Sequence, residues 1–240
     1  MQLLLINGSP CGAESTTHML AAMFIAGARE MGAAADNLLL ADYDIRPCIS
    51  CGECWREDIA FCRQPDDMRP LLAKVRQADV LIFATPVHLE NVTGLLKVFM
   101  DRMLPFISPC VEPGPGGDYQ PAPTPTSVPA IAVIATSDMP DQSHFEVLRL
   151  FFQRLAGYLN TTLVAEIYRS QAELLRGDSL VLRPFIAPYL KHVRQAGAEL
   201  AREGCLSQKT RAALDHALVP PGLYAHGANA YWNKRRGEED

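Results

Sequence analysis

The stretch MQLLLINGSPCGAESTT, residues 1–17, decides the fold. Leu3 to Ile6 is an apolar run of strand length, closed by the turn-forming Asn7-Gly8-Ser9-Pro10. Ser15-Thr16-Thr17 then opens a segment with helical spacing. Met19, Ala22, Met23 and Ala26 fall near one stripe, and Gly32 is a stop signal. The expected unit is a buried strand that runs through a Gly- and hydroxyl-rich turn into a helix.

The alternation continues along the chain. Further strand-length runs are Asn37 to Leu40, Val80 to Ala84, Ala130 to Ala135 and Leu163 to Ile167. Helical spacing occupies Asp67 to Gln77, Thr93 to Met103 and His144 to Gly157. Strands apolar on both faces, separated by helices, predict an α/β fold with a doubly wound five-stranded parallel sheet. Right-handed crossovers favour the order 2-1-3-4-5, with a ligand at the carboxyl ends of strands one and three.

Residues 1–170 make up this expected domain, and two segments depart from it. Pro105 to Pro129 holds eight prolines and three glycines, which excludes regular helix and central strand. It is expected to be a lid, an oligomer contact or a disordered excursion. Beyond Ile167, the spacing of Ile186, Leu190, Val193, Gly197 and Leu200 predicts an amphipathic helix after Pro184 or Pro188. Residues 206–240 read as a polar tail, so 171–240 is expected to be a helical extension and tail of the same domain.

Bulk properties narrow the function. With 48% apolar and 20% charged residues, the chain has the composition of a soluble globular core. A net charge of −5 gives no bulk attraction for nucleic acid or an anionic membrane, and neither is an expected partner. The opening apolar run is too short for a signal-peptide core or a membrane span, so a cytoplasmic location is expected. There are seven cysteines, four of them within fifteen residues. Without an export signal, such clustering points to metal or redox chemistry rather than a disulfide scaffold.

The turn after strand one suits a phosphate monoester. Amides at a helix start point outward, and the macrodipole attracts a dianion. Ser9, Ser15, Thr16 and Thr17 add hydroxyl donors. The lysine of GxxxxGK[ST] is absent, as is GxGxxG, which leaves a held, non-reacting phosphate such as that of FMN. A helix cap at Ser15 or Thr16 is the plainer alternative. Four hydroxyls at the first crossover favour the phosphate.

Cys48, Cys51, Cys54 and Cys62 have the spacing CxxCxxCx7C. Three thiolates wound around one irregular turn, with a fourth a few residues on, suit the four irons of a [4Fe–4S] cluster. Structural zinc usually sits between two CxxC knuckles separated by a longer span, and a disulfide switch would leave two of these thiols unexplained. Gly52 allows close backbone approach. Arg46, Arg56 and Arg63 either offset the thiolate charge or are solvated. Cys11, Cys110 and Cys205 stand alone.

The sequence resembles the NAD(P)H-dependent FMN reductase and flavodoxin-like family over about residues 1–170. The resemblance rests on NGSP at 7–10 with Ser15-Thr16, and on a second block. That block is Thr85-Pro86-Val87-His88, Asn91-Val92-Thr93, Leu96-Lys97 and Asp101-Arg102. It implies FMN, with its phosphate on Ser9, Pro10, Ser15, Thr16 and Thr17. The ring would lie along Thr85, Pro86, Val87, His88 and Asn91, with Thr136 and Ser137 on a third loop. His88 stands where the family often carries an aromatic, and adds a proton donor near neutral pH. The third loop reads Ala135-Thr136-Ser137-Asp138-Met139-Pro140, where the family is often glycine-rich.

The cysteine motif is similar to that of the iron–sulfur flavoprotein branch, where an Asp-Asp-Met like Asp66-Asp67-Met68 follows. The implied function is an FMN-dependent oxidoreductase passing electrons between FMN and a [4Fe–4S] cluster. NAD(P)H, another small molecule or an electron-carrier protein would be donor or acceptor. A cluster-free NAD(P)H-dependent FMN or quinone reductase is the alternative enzyme, and a redox carrier or sensor the non-enzymatic one. The flavin does the chemistry, so no catalytic side chain is required. Family members are usually homodimers or homotetramers. The proline-rich insertion and the helix near Leu190 are the candidate contacts.

Overall fold

The computed structural model describes residues 1–56, 62–114, 117–124, 128–177 and 180–237. Parts of the proline-rich stretch (115–116 and 125–127) and of the last gap of the cysteine motif (57–61), and the final three residues of the expected tail, lie outside the described residues.

The strands are β1 (Gln2–Asn7), β2 (Ala34–Leu39), β3 (Val80–Pro86), β4 (Val111–Pro113), β5 (Tyr119–Pro121), β6 (Ala130–Thr136) and β7 (Leu163–Arg169). Five of them form one parallel sheet in the order β2-β1-β3-β6-β7. This is the expected 2-1-3-4-5 order. The numbers differ because the proline-rich stretch folds its own antiparallel hairpin, β4 with β5. The hairpin is peripheral, as its prolines require, and is tied to the chain after the fourth helix by Asn160 Nδ2 donating to Pro121 O (2.9 Å).

The helices are α1 (Thr16–Glu30), α2 (Met68–Gln77), α3 (Gly94–Asp101), α4 (Glu146–Tyr158), α5 (Arg183–Glu203), α6 (Gln208–Asp215) and α7 (Pro221–Arg236). They cover both faces of the sheet, which gives the flavodoxin-like α/β architecture. Alternation along the strands divides the core in two. Leu3, Leu5, Ile82 and Ile134 pack with Leu20 and Phe24 of α1 and Val193 and Leu200 of α5. Leu4, Ile6, Phe83 and Val133 pack with Leu72 of α2, Phe99 of α3 and Phe152 of α4. Each fully buried Leu or Phe contributes about 1.5–3 kcal/mol.

The helix expected after Pro184 or Pro188 begins one residue before the first, and Pro188 lies inside it. It crosses α1 backbone against backbone. A Cβ built on Gly27 would lie 1.8 Å from Arg194 O, and one built on Gly197 would lie 1.9 Å from Phe24 O. Neither position accepts a side chain without separating the helices.

The polar tail expected from residue 206 is a correction. Its described part is largely helical, in α6 and α7. Apolar residues are sparse there, but Leu206, Leu214 and Leu218 are buried in the main core. Ser207 caps α6 by accepting from Thr210 N (3.2 Å). The buried Glu199 of α5 accepts from Ser207 N (2.9 Å) and Thr210 Oγ1 (2.7 Å), which joins the two helices. Among the described residues, no helix is long and apolar enough to cross a membrane.

Candidate functional site

Parallel strands end together, and the loops after β1, β3 and β6 surround an open cleft of about 630 Å³. Ser9, Pro10, Ser15, Thr16 and Thr17 line it from the first loop, Pro86, Val87 and His88 from the second, and Thr136 and Ser137 from the third. Of the residues expected to meet the flavin, Thr85 and Asn91 are not among its walls. Thr85 is fully buried. Its hydroxyl donates to Pro86 O (2.8 Å) and accepts from Thr93 N (3.2 Å), so it fixes the loop to the start of α3. Asn91 closes a two-residue turn by exchanging backbone bonds with His88 (2.9 and 3.0 Å). Leu89 and Glu90 both take positive φ there, 49° and 62°, as a tight turn of this hand demands. Glu90 Oε1 meets His144 Nδ1 at 2.6 Å and steadies the tip.

The first loop is held through its backbone amides. Gly8 N donates to Ala84 O (2.8 Å), Ser9 N to Asn7 Oδ1 (2.9 Å) and Gly12 N to Ser9 O (3.1 Å). Ser15 is the cap of α1: its Oγ accepts from His18 N (3.0 Å) and donates to Gly12 O (2.8 Å). The plainer reading of that hydroxyl therefore holds, and its proton is committed. Thr17 Oγ1 and Thr136 Oγ1 lie 2.7 Å apart and bridge α1 to β6. The first-turn amides of Thr16 and Thr17 are left as the donors a helix start cannot satisfy internally. Asn7 Nδ2 is a buried donor without a partner. Amides, a hydroxyl at Ser9 and a helix start form a donor set that fits a phosphate.

Glycine is required at position 8. A Cβ there would lie 2.6 Å from Leu96 Cβ and 3.0 Å from Thr93 Oγ1. Thr93 caps α3 by accepting from Leu96 N, and donates to Gly8 O (2.6 Å). The start of α3 is thereby fastened to the first loop.

The sequence reading missed one wall. Asp138, Ala172, Glu173 and Arg176 line the cleft, as does Cys11. Ala172–Arg176 forms a 3-10 turn after β7. No motif marks it, although the end of any strand in a parallel sheet reaches the same edge. Asp138 Oδ1 accepts from Glu173 N (2.8 Å). Desolvation by the cleft walls and the neighbouring Glu173 carboxylate push the Asp138 carboxyl above its ordinary range.

A second cavity, of about 550 Å³, is lined by all four clustered cysteines, Cys48, Cys51, Cys54 and Cys62. Burial pushes the Cys54 thiol up, and Cys62, Cys51 and Cys48 push it further, so the sulfurs act on one another. Ser50 N donates to Cys48 Sγ (3.4 Å) and Arg102 Nε to Cys62 Sγ (3.3 Å). Four soft sulfur ligands, two already receiving N–H bonds, suit iron or zinc in kind. Among the described residues, no group of three or more His, Cys, Asp or Glu side chains is arranged as a closed metal site.

Of the three flanking arginines only Arg63 lines this cavity, and the buried cation there is Arg102. Arg46 reaches Asp44 at 3.9 Å, while Arg56 and Arg63 both pair with Glu53 (3.1 and 3.2 Å), all with exposed guanidiniums. Arg102, just beyond α3, is buried. It pairs through both nitrogens with the equally buried Asp66 (2.7 and 3.0 Å) and donates to Arg46 O (2.6 Å). Burial raises the Asp66 carboxyl, but the bonds from Arg102, Arg46 N and Met68 N outweigh it and hold the group below its usual range. Trp55 Nε1 adds a bond to Ile107 O (2.9 Å). The two cavities share no lining residue, and the second lies at the carboxyl end of α3, beside Asp101 and Arg102.

Residues 1–114 match the family described as NADPH-dependent FMN reductase. An iron–sulfur flavoprotein of Archaeoglobus fulgidus is 36% identical over 102 residues, which are 42% of this chain and 48% of that protein. The chain thus spans about half the length of the curated relatives it matches. Among solved structures, an NAD(P)H:quinone oxidoreductase from Methanothermobacter marburgensis superposes with a TM-score of 0.61 at 16% identity. It covers 83% of this chain and 96% of its own. An FMN-dependent NADH-azoreductase from Bacillus anthracis, solved in complex with FMN, gives 0.59 at 15% identity, covering 83% of this chain and 99% of its own. Residues 1–114 thus match the NADPH-dependent FMN reductase family, and the relatives matched by sequence are iron–sulfur flavoproteins.

Proposed function

We propose that the chain is an FMN-dependent oxidoreductase that carries FMN in the cleft and a [4Fe–4S] cluster on Cys48, Cys51, Cys54 and Cys62. The observation that carries the first part is the convergence of three loops on one cleft at the switch point of a doubly wound sheet. Bound FMN supplies the redox chemistry, accepting two electrons from a donor such as NAD(P)H or a reduced carrier.

The protein binds, orients and shields. Thr16 N, Thr17 N and the α1 dipole hold the phosphate, with Ser9 beside them. Pro86, Val87 and His88 form one wall for the ring and Thr136 and Ser137 another. His88 brings an imidazole, which can donate or accept a hydrogen bond, to the first of these walls. At the carboxyl end of α3, the Arg102 guanidinium offsets thiolate charge at Cys62. When bound there, a cluster supplies one-electron exchange.

Titration with FMN, followed by quenching of its fluorescence, tests the cleft. No quenching and no retention on dialysis would end the reading. Anaerobic purification with a visible spectrum and an iron and sulfide assay tests the cysteines. About four irons per chain is expected, with the broad absorption lost in Cys54→Ala.

A second reading, a cluster-free NAD(P)H-dependent FMN or quinone reductase, draws support from the match of residues 1–114 to the NADPH-dependent FMN reductase family. It predicts a yellow protein without iron that still oxidises NAD(P)H when a quinone is supplied. Association into homodimers or homotetramers through the β4–β5 hairpin or α5, and a location in the cytoplasm, belong to the same proposal. Sedimentation at two protein concentrations tests the association.

A further inference from the structure

The segment from His216 to Tyr224, far along the chain from every expected ligand residue, lies against the cleft wall. Its anchor is Gln171, fully buried and held at a φ of 57° between β7 and the Ala172–Arg176 turn. Gln171 Nε2 donates to Pro140 O and Val219 O, both at 2.9 Å. Its Oε1 accepts from Leu218 N and Val219 N, both at 3.1 Å, and its own N–H donates to Met139 O (3.0 Å). One amide side chain thus joins the loop after β6 to the connection between α6 and α7, with all its donors and acceptors engaged. Arg169, also fully buried, repeats the link. Its guanidinium donates to His216 O (2.8 Å) and lies over the Tyr189 ring of α5. From α7, Tyr224 OH donates to Asp138 O (2.9 Å).

These bonds grip residues 138–140. Ser137 and Asp138 line the cleft, and their backbone is further fixed by Ser137 N to Arg169 O (2.9 Å) and Ala172 N to Ser137 O (3.0 Å). The wall they make with Glu173 and Arg176 carries two carboxylates and one guanidinium. It suits the polar edge of a heteroaromatic ring, with its mixed donors and acceptors, better than a phosphate dianion. A left-handed non-glycine residue at the centre of such a network is a strain that persists only where its surroundings impose it.

We propose that residues 216–224 are a strap belonging to the cleft, and that Gln171 and Tyr224 are positioning residues that set the Ser137–Asp138 wall against the flavin ring. The inference rests on the FMN reading. It makes flavin affinity depend on a part of the chain that lies outside residues 1–114, where the family match falls.

The test is an FMN titration of the full chain, read by fluorescence quenching and by visible circular dichroism of the bound flavin, with thermal unfolding alongside. Tyr224→Phe removes one hydrogen bond and keeps the ring. It should weaken FMN binding about five- to tenfold and alter the dichroism, with the unfolding midpoint little moved. Gln171→Leu should weaken binding more than tenfold, and Gln171→Glu, which keeps the acceptor for Leu218 N and Val219 N, should fall between. Tyr231→Phe, on an exposed part of α7, should match the wild type. If wild type does not take up FMN, the flavin reading itself fails. If wild type binds and the Tyr224 and Gln171 variants keep its affinity and dichroism, the strap is only structural and the proposal is overturned. Should Gln171→Leu not fold, Tyr224→Phe alone decides.

Discussion

The cleft and the cysteine cavity are built by opposite means. The cleft hangs on strands whose register fixes each loop at its root, so many backbone bonds share the task. The cavity is an irregular turn with little regular structure of its own; one buried ion pair, Asp66 with Arg102, ties it to the end of α3, and only the more exposed Trp55 Nε1 bonds to Leu104 O and Ile107 O stand beside it. Shared support tolerates local loss. A single buried pair does not, because removing one partner leaves the other charge uncompensated.

The largest expected effect follows from that difference. Arg102→Met should cost about 3–5 kcal/mol in urea unfolding, because the Asp66 carboxylate is left buried and alone, and cysteine-bound iron should be lost with it. A cost under about 1 kcal/mol would show that the cavity has other supports, and would erase the contrast. Next is Gly8→Ala, which drives a methyl against Leu96. It should cost about 1–3 kcal/mol and weaken FMN at least tenfold, as the loop shifts off α3. An unchanged dissociation constant would mean that the first loop does not set the cleft.

Ser15→Ala is a finer probe. The hydroxyl is spent on His18 N and Gly12 O, so stability should fall by about 1 kcal/mol while FMN affinity drops less than threefold. A larger loss of affinity in calorimetric titration would return Ser15 to the phosphate.

The smallest effects are in pH, and the two regions lean in opposite directions. The lowered Asp66 carboxyl gives stability that is present above its unfolded value near pH 4 and is lost as pH falls through its folded value. The raised Asp138 carboxyl does the reverse: its contribution is present below about pH 4 and fades as pH rises through its folded value. Unfolding midpoints of wild type and Asp138→Asn over about pH 3–6 should diverge in slope only on the upper limb. Parallel curves would remove Asp138 from the account.

How far the sequence could be read follows the same divide. The runs Val80 to Ala84 and Ala130 to Ala135 are buried on both faces, and β3 and β6 lie where those runs are. The start of β2 escaped notice because it is an edge strand opening Ala34-Ala35-Asp36, with little apolar signal. The first cleft loop was legible because its hydroxyls cluster in sequence. Their individual roles were not, since Ser15 capping and the Thr17–Thr136 bridge depend on the fold. Arg102 was visible beside Asp101, but its partner lies 36 residues earlier, and no spacing rule links them. The four cysteines showed themselves by spacing alone. The fourth wall at Ala172–Arg176 and helices α6 and α7 were hidden because they are fixed by distant contacts: Gln171 with Val219, and Glu199 with Thr210.

The crossing of α1 with α5 bears on how such a chain can diverge. Helices normally stand 8–10 Å apart, with side chains setting the gap. Here the two glycines remove that spacer, so the positions are bound as a pair. A descendant that acquires bulk at 27 gains nothing by keeping glycine at 197. Helix α5 must then swing outward, carrying with it the carboxy-terminal quarter of the chain. Relatives should therefore fall into two groups, small residues at both places with a close crossing, or larger ones at both with a looser one, and mixed pairs should be rare.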